Sequence, residues 1–552
     1  MASQLNHGCT VIPLSFLLDK WYISAHKIWR YVLSIGRTVA PAVAVKIGHD
    51  MQDFDVVIVG AGISGVSAAY HLQQSCPNKS FTILESRKSI GGTWDLFKYP
   101  GIRSDSDMHT LGFNFKPWID EKSIADGPSI KRYLSETIAE NKMHEHIQHE
   151  SKLIAANWSS ESNRWMISVE QQGHVVEMTC NFLMMCSGYY NYDTPYTPDF
   201  AGQQNYQGQV VHPQHWPEDL DYAGKQVVVI GSGATAMTLI PAMAEKAAHV
   251  TMLQRSPTYV AARPDHDAIA NTLRKFLPGS VAYAITRFKN TQMQKFLYGK
   301  MRSEPEKMKK VLVGMVRKAL GPKYDVEKHF TPKYNPWDQR LCLVPNGDLF
   351  TSIKAGDASV VTDHIDHFTA DGIALKSGET LKADIIITAT GLNMQVMGGA
   401  TFSVDDKAVD FPATFSYKGM MYSDVPNLIQ TFGYINASWT LRADLTSEYA
   451  CRLINHMDAK GVSQCTARLR EEDMDMPARP WIEDFSAGYM QRSMQTLPKQ
   501  GDKDPWRNTQ NYALDKKIIR KASLEDGALV FGPTDLTEGH VNASMEKAQA
   551  AA

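Results

Sequence analysis

The sequence predicts an α/β fold in which one strand–turn–helix design is used twice, and three observations carry that expectation. Val56–Leu72 and Val227–Met243 each read as a buried apolar strand, a glycine turn and a helix of small residues. Each is followed by a second strand, and the two align position for position: Ser80–Ser86 (SFTILES) against His249–Arg255 (HVTMLQR). Two further strand-then-glycine segments recur, Phe182–Gly188 (FLMMCSG) and Ile385–Gly391 (IIITATG). Two β-α-β units of one design imply two Rossmann-like dinucleotide-binding domains.

The second pair of segments reads as the places where the chain crosses between domains. The first domain is then discontinuous, built from residues 51–202 and again from 384–531, and the second lies between them at 203–383. Within the second, Asp265–Lys323 reads as a helical insertion. Residues 532–552 carry little apolar pattern and are expected to fray. A chain of 552 residues is too long for one compact core.

Composition narrows the class. The chain is 43% hydrophobic and 21% charged, which are ordinary globular values. A net charge of −2 argues against a general affinity for nucleic acid. Seven scattered cysteines lack the paired spacings of a metal site or disulfide framework, so no metal is expected and a reducing, cytoplasmic compartment is favoured. No stretch reaches the ~18–20 uninterrupted apolar residues of a membrane-spanning helix.

The first glycine turn is Gly60-Ala-Gly62-Ile-Ser64-Gly65. Gly60 permits the tight turn, Gly62 lets a pyrophosphate approach the backbone, and Gly65 lets helix and strand pack closely. The pyrophosphate then meets the free N–H groups at the helix N-terminus. Glu85, 20 residues after Gly65, suits the ribose hydroxyls of an adenosine. A plain structural turn is the rival reading, weakened by the strand before and the helix after.

The second turn is Gly231-Ser-Gly233-Ala234-Thr235-Ala236. Here the counterpart of Glu85 is Gln254, and Arg255 follows it. A carboxylate would repel the 2′-phosphate of NADPH, whereas a guanidinium grips it through charge-assisted hydrogen bonds. An acid in one unit and an arginine in the other point to FAD in the first domain and NADPH in the second. Two pyridine-nucleotide sites in series are the alternative.

Between the units runs Tyr206-Gln-Gly208-Gln-Val-Val-His212-Pro-Gln-His-Trp216-Pro217. Taken alone it is a stiff, packed linker, with His212 structural or hinge-like. It resembles the linker signature of the flavin-dependent Baeyer–Villiger monooxygenases, within the flavin-containing monooxygenases, with Tyr206 in place of the usual Phe. Gly91-Gly92-Thr93-Trp94 and Tyr99-Pro100-Gly101-Ile-Arg103-Ser-Asp105 are similar to segments that lie along the flavin in that family. By position, the resemblance implies that Arg340 is the catalytic arginine and Asp105 the carboxylate that holds it. The residue before that arginine, often Lys in the family, is Gln339 here, which leaves more of the NADPH phosphate grip to Arg255.

The likeness runs from about Asp53 to about Phe531. It is closest to ethionamide-activating monooxygenases and to flavin monooxygenases of long-chain alkane use. It implies an FAD- and NADPH-dependent enzyme that uses a C4a-peroxyflavin to insert one oxygen atom from O2 into a ketone, or to oxidise a sulfide or thioamide. Its partners would be O2 and a small lipophilic substrate. A role in alkane degradation is the runner-up, since a peroxyflavin oxidises unactivated C–H bonds poorly. A disulfide-type reductase is less favoured, because no CxxC or CxxxxC pair follows the first turn.

Two segments leave alternatives open. In the insertion, apolar residues such as Ile269, Phe276, Ile285 and Phe288 alternate with Arg274, Lys275, Arg287 and Lys289, and a basic run follows at Lys307, Lys309, Lys310, Arg317 and Lys318. That pattern fits an amphipathic layer with a solvated face, or an access route for lipophilic substrate. In residues 1–50, Leu14, Leu17, Leu18, Trp21, Ala25, Ile28, Val32 and Ile35 form one helical stripe with interspersed Lys and Arg. It is not patterned as a signal peptide. It reads either as a helix resting peripherally on an anionic membrane or as an extension preceding a true start at Met51.

Overall fold

The structure, a computed structural model, describes residues 51–483 and 485–532. The expectations for residues 1–50 and 533–552 therefore lie outside the described residues.

The strand Gln52–Val59 sits inside a nine-stranded sheet, flanked in parallel by Phe81–Leu84 and by the end of His174–Met185. Val56, Val57 and Ile58 are almost fully buried, as a parallel strand covered on both faces requires. Each such side chain contributes about 1.5–3 kcal/mol of burial. From His174–Met185 the sheet continues as an antiparallel meander through Arg164–Gln171 and Ser151–Ser159. Thr401–Val404 then adds to its far side, and Leu428–Gln430 pairs with the end of His174–Met185.

The helix Ile63–Ser75 follows the first turn, and the long helix Trp439–Lys460 packs against it. Two polar bonds fix that pairing: Ser67 donates to Asp444 at 2.9 Å, and the Trp439 indole donates to the Ser64 hydroxyl at 2.7 Å.

The second sheet has five parallel strands in the order Ala358–Thr362, His249–Gln254, Gln226–Ile230, Ile385–Thr388, Gln209–Val211. This corrects the expected boundary at residue 384. Ile385–Thr388 belongs to the second sheet, where its uninterrupted apolar run is buried between Val227–Ile230 and Gln209–Val211. The chain returns to the first sheet only after Ala389.

The two sheets share a further detail. The first glycine of each turn is backed by the chain leaving the equivalent strand of its own sheet. A Cβ on Gly60 (φ 105°) would stand 2.6 Å from the Cys186 carbonyl oxygen, and one on Gly231 (φ 134°) 2.4 Å from that of Ala389. Only glycine combines that backbone with that approach.

Between Val260–Arg263 and Cys342–Pro345, which pair in parallel, lie three consecutive helices, Ala268–Phe276, Gly279–Ser303 and Pro305–Leu320, and then the short helix Val326–Phe330. Asp267 caps the first by accepting from the Ala270 amide at 3.0 Å. Pro305 opens the third, and Gly321 (φ 90°) ends it. The middle helix is anchored by Arg287, whose guanidinium donates to the carbonyls of His109 (2.9 Å) and Gly112 (2.7 Å) and faces Asp444 at 3.5 Å. Among the described residues no helix is long and apolar enough to cross a membrane.

Candidate active site

Both glycine turns open onto one cavity of about 1120 Å³. On its first-domain side, Gly60, Gly62, Ser64, Glu85, Gly92, Thr93 and Trp94 line the wall. Gly62 is the N-cap of Ile63–Ser75 with no side-chain partner, so the helix's first amides face the cavity. Gly65 does not line the cavity; a Cβ there would fall 1.8 Å from the Gly60 carbonyl oxygen, so its smallness holds helix against turn. Glu85 is buried and accepts from the amides of Ala61 (2.9 Å) and Arg87 (3.0 Å), leaving lone pairs toward the cavity. A side chain at either Gly62 or Gly92 would intrude on the groove between them. These features fit the adenosine and pyrophosphate of FAD.

On the second-domain side, Gly231, Gly233, Ala234, Thr235 and Arg255 line the same cavity. A Cβ on Gly233 would meet nothing within 4 Å, so a ligand can approach the backbone at the N-cap of Ala234–Ala244. Arg255 is exposed and makes no hydrogen bond or ion pair among the described residues, whereas Gln254 turns inward and donates to the His329 carbonyl (2.7 Å) and Thr362 (2.8 Å). A free guanidinium beside an open helix N-terminus fits a phosphorylated nucleotide such as NADPH.

Arg340 lies where the two halves meet. A tight turn presents it: Trp337 takes φ 72°, and the Asn335 amide donates to Asp338 at 3.0 Å. The Ser486 amide holds the Asp338 carbonyl at 2.7 Å, and Arg302 donates to the Asp338 carboxylate at 2.8 Å. Arg340 itself donates from Nη1 to the Ile435 carbonyl at 3.1 Å and lies over the Phe485 ring at 5.8 Å. Burial works against its cation, but the phenols of Tyr489, Tyr189 and Tyr190 outweigh that, and the guanidinium stays charged.

Asp105 lines the same cavity but does not grip Arg340: among the described residues no hydrogen bond or ion pair joins them. Their coupling is through space. Asp105 is reachable by solvent through the mouth of the cleft yet hemmed in by protein, and that confinement pushes its carboxyl up to about 6 against the opposing pull of Arg340 and Arg103. Arg103 is a site residue that sequence reasoning does not single out, although its segment carries the family likeness. It donates to Asp348 at 2.5 Å, and its Nη2 has no partner.

Sequence reasoning also missed an aromatic wall. Tyr189 stacks on Trp439 at 5.3 Å and shares a 2.8 Å hydroxyl contact with Tyr190, whose phenol burial pushes up to about 12. Phe432, Phe485 and Trp481 form the apolar cluster behind it. These residues come from segments with no common period, so no local pattern connects them.

The linker signature lies off the cavity. Tyr206 is buried and donates to the Ala383 carbonyl at 2.8 Å, and Gly208 leaves room for that ring. His212 accepts from the Gln214 amide at 3.1 Å through Nδ1, and its Nε2 lies 3.2 Å from the Gly391 carbonyl. Burial lowers its pKa, so the neutral ring donates to Gly391 and ties one interdomain crossing to the other. Trp216 packs on the second-domain core, next to Pro217.

Fold and site together define a flavoprotein scaffold with two dinucleotide sites sharing one cleft. Residues 57–296 match the family described as pyridine nucleotide-disulphide oxidoreductase. The FAD-containing monooxygenase EthA of Mycobacterium tuberculosis (strain ATCC 25618 / H37Rv) is 54% identical over 481 residues, covering 87% of this chain and 98% of that protein. A protein of Acinetobacter sp, named as a probable FAD-binding monooxygenase AlmA, is 50% identical, covering 87% of this chain and 96% of that one. Among solved structures, a steroid monooxygenase bound to NADP shares the fold with a TM-score of 0.72 at 20% identity, covering 88% of this chain and all of that one. The chain belongs to the family of FAD-containing monooxygenases.

Proposed function

We propose that this protein is an NADPH-dependent monooxygenase of Baeyer–Villiger type, inserting one oxygen atom from O2 into a lipophilic ketone or oxidising a sulfide or thioamide. The observation that carries the reading is Arg340: a fixed cation, held by backbone and aromatic rings, on the cavity that both glycine turns share. FAD, when bound, supplies the oxygen-activating chemistry, and NADPH supplies the hydride.

The chain's own residues hold, charge and dry the cleft. Gly60–Gly65 and Glu85 seat one nucleotide; Gly233, the helix behind it and Arg255 seat the other. A carbonyl oxygen that gains negative charge beside Arg340 is stabilised by a preorganised cation, an effect on the order of 3 kcal/mol of barrier. Asp105, ionised above its raised pKa, balances Arg340 and Arg103 without neutralising either by direct contact. Tyr189, Tyr190, Trp439 and Phe432 limit water on the apolar side. The described cysteines are unpaired and buried, which supports work in the reducing interior of the cell, where NADPH is supplied.

The test is oxygen uptake with NADPH and product analysis over a panel of ketones and sulfides. Substrate-stimulated uptake with an ester or sulfoxide product supports the reading. Turnover that yields only hydrogen peroxide across the whole panel would overturn it.

A further inference from the structure

Ten of the fifteen most exposed large apolar side chains among the described residues fall between Ile269 and Met315, in the three helices of the insertion. Phe276, Phe288 and Phe296 are 81%, 68% and 59% exposed. On the helix Gly279–Ser303, Val281, Ile285, Phe288 and Phe296 make one solvent-facing stripe, opposite the buried Tyr283, Arg287 and Asn290. A helix of a globular protein turns such a stripe inward, so an outward one marks an interaction surface.

The same segment is strongly basic. Residues 265–323 hold thirteen Lys and Arg against four Asp and Glu, a net +9 in a chain whose total is −2. That charge selects the occupant. A second copy would set this lysine-rich segment against itself, and like charge disfavours that pairing. An exposed aromatic stripe within a lysine-rich segment suits a deformable apolar layer beneath anionic headgroups.

We propose that this face seats the protein on an anionic membrane surface, with Phe288 and Phe296 entering the acyl boundary and residues such as Lys309 and Lys310 meeting the headgroup phosphates. The seat is mechanically joined to the cleft. Arg287 clamps the carbonyls on either side of Leu111, which lines the cavity, and Arg302 holds Asp338, two residues from Arg340. A lipophilic substrate dissolved in the bilayer is thereby brought beside the site that consumes it. The surface itself stands on exposure and charge, independently of which substrate the cleft oxidises.

The experiment is flotation of the full chain with phosphatidylcholine vesicles, with and without phosphatidylglycerol. Wild type should float only with phosphatidylglycerol present. Phe288→Ser/Phe296→Ser and, separately, Lys309→Glu/Lys310→Glu should each lower the partition coefficient by roughly tenfold or more. NADPH oxidation without vesicles should be unchanged, which shows that both variants fold. Wild type that ignores the vesicles overturns the proposal, as does flotation undiminished in the apolar variant, which would place the lipid contact elsewhere. A lipid-independent dimer that the apolar variant dissociates overturns it in favour of a second copy.

Discussion

Arg340 donates from Nη1 to the Ile435 carbonyl at 3.1 Å, so the cation of the second domain is fastened to the returning segment of the first. Its place depends on both domains, while the FAD groove at Gly60–Gly92 does not touch it. Arg340→Ala should therefore keep FAD through desalting, measured by flavin absorbance, and lose oxygenated product by at least roughly 100-fold. Near-normal product from that variant would show that another group stabilises the developing charge.

Arg255 faces the cavity without a partner, whereas a structural arginine is normally engaged by the fold. Removing one charge-assisted contact costs on the order of 1.5–3 kcal/mol, so Arg255→Ala should raise the KM for NADPH by roughly 10- to 150-fold. The KM for NADH should barely move. Equal weakening of both nucleotides would remove Arg255 from the phosphate grip.

Asp105 gives a pH test whose sign is fixed by its raised pKa of about 6. The protonated form is favoured in the fold, so its contribution to stability is complete below the ordinary carboxylate pKa and is lost as pH rises through about 6. Asp105→Asn should thus gain thermal stability relative to wild type at about pH 8 and much less at about pH 5. If ionised Asp105 balances the two arginines, wild-type turnover should also rise through about pH 6, and the Asn variant should lack that limb. Parallel pH profiles in the two proteins would remove the assigned role.

The turns differ at their third small residue. A Cβ at Gly65 would lie 1.8 Å from the Gly60 carbonyl oxygen, while the second turn already carries Ala236, fully buried. Gly65→Ala should yield protein depleted of FAD, and Ala236→Gly should keep NADPH oxidation within a few-fold of normal. Full FAD occupancy in Gly65→Ala would mean that the first turn has slack that the structure does not show.

Much of the nucleotide machinery was legible because each part is local. An apolar strand, a glycine turn and a small-residue helix are contiguous, and Glu85 and Arg255 follow at fixed spacing. The boundary at residue 384 misled because Ile385–Thr388 has the same apolar run as Phe182–Met185, and a run buried in either sheet looks alike. Arg340 was reached only through family likeness. Arg103 and the rings of Tyr189, Phe432, Trp439 and Tyr489 carry no spacing signal, since tertiary packing alone assembles them.

The double crossing between the sheets has a consequence for biosynthesis. Strands 52–59, 81–84 and 174–185 leave the ribosome before residue 186, but Thr401–Val404, Leu428–Gln430 and the helix Trp439–Lys460 that completes their packing come only after the whole second sheet. At roughly 5–20 residues per second, the stretch from Met185 to Thr401 takes about 10 to 40 s to translate. During that interval the nascent first domain exposes open strand edges and the uncovered face of Ile63–Ser75, while the contiguous second domain can close once Ile385–Thr388 emerges. The order of assembly is thus the reverse of the order of synthesis, and the nucleotide groove made earliest is the one finished last.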